Sequence, residues 1–129
     1  MKTSARDFEK FKIYCRKWAD LFGLKDYHFT FRHVKGDRAA YGGCLIDFKR
    51  RTARISLYVD WGKGVEVTEE ELDRTALHEI LHVVLDHLTA LAEVRYVVAG
   101  DIEMAQEAAI VRLENGIYPL VRSARVKNG

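Results

Sequence analysis

Residues 68–88, TEEELDRTALHEILHVVLDHL, constrain the fold more than any other stretch. Thr68 followed three residues later by Glu71 is a capping box, so a helix is predicted to start near Glu69 and to run through at least Leu88. Leu77, Ile80, Leu81, Val84, Leu85 and Leu88 cluster on one side of that helix. His78 and His82 lie four residues apart and project within about 40° of each other on successive turns, away from this cluster. A helix divided in this way must bury its back against a core and keep its front open.

The rest of the chain supplies the core. With 129 residues and 48% of them hydrophobic it can bury one sizeable core, so residues 1–129 are read as a single domain. Between residues 4 and 24, Phe8, Phe11, Cys15, Trp18, Ala19 and Phe22 recur at helical spacing, and Gly23 stops the pattern. Residues 27–34 alternate, with aromatics at Tyr27, Phe29 and Phe31, until Lys35-Gly36-Asp37 breaks them. Residues 40–48 and 53–60 flank the polar run Lys49-Arg50-Arg51-Thr52, a hairpin signature. The loop Trp61-Gly62-Lys63-Gly64 leads into the helix described above, and residues 101–115 form one more helix. The expected class is α+β: an N-terminal helix, a three-stranded antiparallel sheet, the histidine-bearing helix and a C-terminal helix.

A net charge of +2 gives no strong field toward nucleic acid or an anionic membrane. No apolar run approaches the roughly 20 residues that span a bilayer, and MKTSARDFEKFK has no apolar signal core. Two cysteines, Cys15 and Cys44, suit a reducing compartment as packing residues. A cytoplasmic chain without a membrane or nucleic-acid partner is expected.

The pattern His78-Glu79-Ile80-Leu81-His82 has a chemical reading. Two neutral imidazoles one turn apart can share one Zn²⁺ ion, and Glu79, about 100° round from His78, can act as general base on a water. A third protein ligand is required. His87 points about 180° from His78 on an unbroken helix, while Asp86, one turn past His82, is better placed to hydrogen-bond an imidazole or a substrate. In the helix of residues 101–115, Glu103, Glu107 and Glu114 fall within an arc of about 40° bordered by Ile110, Leu113, Met104 and Val111. Either that arc is a solvated edge, or the helix packs its apolar face on the histidine helix and aims a Glu at the zinc.

These residues carry a resemblance. A His-Glu-x-x-His helix followed by a Glu-bearing helix resembles the gluzincins, and more narrowly the small metallopeptidases encoded by bacteriophages and prophages. The likeness covers Phe22-Gly23-Leu24, Tyr27-His28-Phe29, Ala40-Tyr41-Gly42-Gly43-Cys44, Arg54-Ile55-Ser56-Leu57, the His78–His82 motif, and residues 106–114. It implies a minimal zincin-like fold and a zinc peptidase that acts on a peptide or protein substrate. His78, His82 and Glu107 would be the metal ligands, Glu103 the reserve and Glu79 the base. Val111 stands where thermolysin-type members carry an Asp supporting the ligand. Gly42-Gly43-Cys44-Leu45 resembles the Gly-Cys-Leu element of peptide deformylases, which implies Cys44 as another candidate ligand. Zincins bind extended peptides as an added strand, and residues 54–58 are the expected platform. Tyr96, Tyr118, Arg95 and Arg112 are candidates to stabilise the oxyanion. Two further readings are a zinc-stabilised phage module that binds a host protein without cleaving it, and a relative of the SprT-like proteases that act on DNA-bound proteins. The basic residues Arg122, Arg125 and Lys127 suit the last.

Overall fold

The computed structural model describes residues 1–36, 40–94 and 96–128, the last four of these by their backbone alone. Asp37 and Arg95, and the side chains of Arg125 and Lys127, lie outside the described residues. The chain forms an α+β fold with four helices and a mixed three-stranded sheet.

Helix α1 (Ala5–Leu21) starts at Ser4, whose hydroxyl accepts from the Asp7 N–H while the Asp7 carboxylate accepts from the Ser4 N–H. This reciprocal box satisfies two otherwise orphaned donors. The residues that α1 buries, Phe11, Cys15 and Ala19, are spaced by four, and Gly23 at φ +67° turns the chain out of the helix.

Strand β1 (His28–Val34) is followed by β2 (Gly42–Asp47) and β3 (Thr52–Tyr58). The predicted hairpin forms: β2 and β3 run antiparallel with Cys44 opposite Ile55. The expected antiparallel arrangement of the whole sheet is corrected, because the strand order is β1-β3-β2 and β1 runs parallel to β3, with Phe31 opposite Ile55. Alternation within β1 specifies which side chains share a face, and it is indifferent to the direction of the neighbouring strand. The row Phe31–Ile55–Cys44 faces the helices, while the row Thr30–Arg54–Leu45 faces the opposite side.

Helix α2 (Glu69–Val84) is capped by the Thr68 hydroxyl, which accepts from the Glu71 N–H, and it carries Glu69, Glu70 and Glu71 at its positive end. It packs against α1 and the sheet through Leu72, Ala76, Ile80 and Val83, all buried with Phe11, Ile55 and Leu57. The Trp18 indole N–H donates to Asp73 at 2.7 Å, and Lys10 pairs with Glu69 at 2.6 Å, so polar contacts fix α1 along α2 at two levels. The helix expected to continue through Leu88 ends at Val84: Leu85 sits at φ −91°, ψ 0°, and a short helix α3 (Asp86–Ala92) follows.

Helix α4 (Ala99–Asn128) is twice as long as the predicted last helix and buries Ala105, Ala109 and Gly116. Gly116 is required by closeness, because a Cβ there would lie 2.3 Å from the Phe22 ring. No helix among the described residues is long and apolar enough to cross a membrane.

Candidate metal and catalytic site

His78 and His82 both stand exposed on the outer side of α2, with ring centroids 5.1 Å apart and planes at 75°. Two imidazoles bound to one tetrahedral zinc place their centroids roughly 5 Å apart, given the usual zinc–nitrogen length. The ring spacing is compatible with one shared ion. Glu79 is only 5% exposed. Burial raises its pKa above the ordinary carboxylate range, and the two neighbouring imidazoles pull it partly back.

Strand β2 closes the other side. Its first residue, Gly42, must be a glycine here: a Cβ would come within 2.7 Å of the Ser56 carbonyl oxygen and 3.7 Å of Glu79 Cγ. The missing side chain lets the β2 backbone approach α2 beside the Glu79 carboxyl. A hollow of about 420 Å³ lies between Gly42, Gly43 and Cys44 on one side and His78, Glu79, His82 and Glu93 on the other. A second hollow, about 530 Å³, continues past His78 and Glu79 toward Tyr41 and Arg74. At the other end a more apolar hollow of about 940 Å³ is bounded by Leu45, Ile46, Phe48, Leu91 and Val94 and shares Ile46, Phe48 and Glu93 with the first. The first two make a trough along β2 with the histidines at its middle, and the apolar hollow adjoins it on the Leu45 face of the sheet.

β2 is also an edge strand, with no neighbour on its outer side among the described residues. The expectation that residues 54–58 receive an added strand is corrected on this point. β3 is paired by β1 and β2 on both sides, so its ladder groups are already used.

The other candidates fall as follows. Asp86 lines the hollow but is buried, and its carboxylate accepts a 2.8 Å hydrogen bond from the Tyr27 hydroxyl. Cys44 lines it as well, and burial pushes its thiol up to about 12. His87 stacks on Phe48 at 4.7 Å instead of facing the other histidines. Glu107 and Glu103 are exposed and do not line the hollow, since each lies about 200° round α4 from Ala105, whose side is buried. Of the apolar residues expected to pack on the histidine helix, Met104, Ile110 and Val111 are turned out with them, Met104 68% exposed and Ile110 48%, while Leu113 packs against the core.

Of the oxyanion candidates, Arg112 is held by Asp26 at 2.9 Å, and Tyr96 and Tyr118 are exposed away from the trough. Arg74, one turn before His78, borders the trough and had no motif to mark it. Glu93 was missed too. It closes a seven-residue helix whose only sequence signal is an acidic residue 11 positions after His82. Among the described residues, no three His, Cys, Asp or Glu side chains lie close enough together to hold a metal ion.

Comparison of the chain with protein-family models, with curated proteins and with solved structures found no match.

Proposed function

We propose that the chain is a zinc-dependent metallopeptidase with a minimal zincin-like fold and Glu79 as general base. The observation that carries this reading is the buried Glu79 carboxyl beside two exposed imidazoles at the middle of a trough. A carboxyl raised by burial binds a proton more readily than an exposed one, which suits it to accept a proton from water and release it later in the same cycle. His78 and His82 would hold Zn²⁺, which when bound would polarise the scissile carbonyl and acidify water. Glu79 takes the proton of the attacking water and delivers it to the leaving amine.

A carboxylate would supply the third protein ligand. The family resemblance names Glu107. Glu93 lines the hollow with both histidines but stands outside coordinating reach of them, so it would have to swing toward them to serve as that ligand. Arg74 is positioned along the trough to meet a substrate carbonyl or carboxylate.

An extended peptide pairing with the outer edge of β2 would present its side chains alternately to the two faces of the sheet. Those on the Leu45 side would enter the apolar hollow, so bulky apolar residues near the scissile bond are the favoured substrate class.

Untagged protein should carry about one equivalent of zinc by elemental analysis and cleave an unfolded protein, and His78→Ala should lose both. A His78→Ala chain with as much zinc as the wild type would overturn the reading.

A further inference from the structure

Arg74 is the guanidinium of the hollow at the Tyr41 end of the trough. It is exposed, and among the described residues no ion pair or hydrogen bond ties it down, although Glu71 lines the same hollow one turn away. An arginine left unpaired beside a concave surface keeps its planar fork of N–H donors for a ligand, and a carboxylate matches that fork in shape and in charge. Arg74 and His78 are four residues apart on α2, so about 6 Å separates them along the helix axis. An extended peptide advances about 3.4 Å per residue, so Arg74 meets a group about two residues from the one held at the histidines. Glu71 stands two turns from His78, roughly 10 Å, beyond reach of that same group.

The direction of β2 sets which side of the scissile bond this group lies on. At the start of β2 Gly42 lies against Thr75 and Glu79, and past its end Phe48 stacks on His87, so β2 and the helices beside it run the same way. Antiparallel pairing is the more stable per residue. A peptide paired in that sense on the outer edge of β2 runs from Phe48 toward Tyr41, which brings its C-terminal side to Arg74. We infer that Arg74 is a specificity-determining residue that selects peptides with a carboxylate about two residues after the scissile bond, supplied by an acidic side chain or by the substrate's own C-terminus. This selection rests on the peptidase reading proposed above and narrows its substrate class.

The test incubates the full chain, supplied with zinc, with a random-sequence peptide library and reads the cut sites by mass spectrometry. Libraries with free and with amidated C-termini separate a terminal carboxylate from an acidic side chain. Acidic residues or the free C-terminus should be enriched about tenfold at the second position after the cut. Arg74→Gln should abolish the enrichment, and Arg74→Glu should replace it with enrichment of Lys and Arg, an inversion that a merely structural role would not produce. Binding gives a second readout: Glu79→Gln should hold the most frequently cut peptide about tenfold tighter than its uncharged amide analogue in fluorescence polarisation, and adding Arg74→Gln should bring that ratio to about one. Cut sites without the enrichment, with it on the N-terminal side, or with it retained in Arg74→Gln would overturn the selection while leaving the peptidase reading in place. A library left uncut by the wild type would overturn both.

Discussion

The Tyr27 hydroxyl donates a 2.8 Å hydrogen bond to the Asp86 carboxylate, joining the start of the sheet to the first residue of α3. Both side chains are buried, and the bond fixes α3 where it follows the histidine helix. Burial raises the Asp86 pKa and the Tyr27 bond lowers it. A raised carboxyl contributes stability at pH below its unfolded value and loses it as pH climbs through the folded one. Removing Tyr27's hydroxyl raises it further. Tyr27→Phe should therefore destabilise the fold by about 1–3 kcal/mol near neutral pH and by distinctly less near pH 3, below the ordinary aspartate range from which burial raises this carboxyl. Urea unfolding at the two pH values measures this, and an equal or larger loss in acid would contradict it.

Gly116 sits where α4 meets the Phe22 ring, and that ring is itself buried. Gly116→Ala adds helix propensity of up to about 1 kcal/mol. The clash at 2.3 Å with the buried Phe22 ring opposes it with about 1–3 kcal/mol. Net destabilisation is expected in thermal unfolding, and a stabilised variant would show that α4 does not press on α1 there.

The third ligand can be assigned by zinc retention against a competing chelator. Glu93→Gln should weaken zinc binding by about 10–100-fold, while Glu107→Gln, on the outward side of α4, should leave it within twofold. The reverse order would restore the ligand that the family pattern names, and would require α4 to rotate.

Local signals were legible in the sequence. The Thr68 cap depends on Glu71 three residues on, and the β2–β3 hairpin depends on its own turn. The position of His78, Glu79 and His82 followed from helical geometry in the same way. Tertiary choices were not legible. Whether β1 joins β3 in parallel rests on the path of the chain between residues 34 and 42. On α4 the pattern of large apolar residues pointed to one face, and the small residues Ala105, Ala109 and Gly116 packed on another because they allow close approach. Glu93 lies at the end of a helix too short for any periodicity to reveal.

Glu79→Gln decides between a peptidase and a zinc-stabilised binding module. Glu79 is next to the histidines and is not among the proposed ligands, so the variant should keep its fold and whatever zinc the wild type holds. A general base contributes about 10²–10⁴-fold to rate. Hydrolysis of an unfolded protein, measured beside zinc content for wild type and variant, should fall in that range with the metal unchanged. A wild-type chain that holds zinc and cleaves nothing, or a Glu79→Gln chain that cleaves as fast as the wild type with its zinc intact, would contradict the proposal.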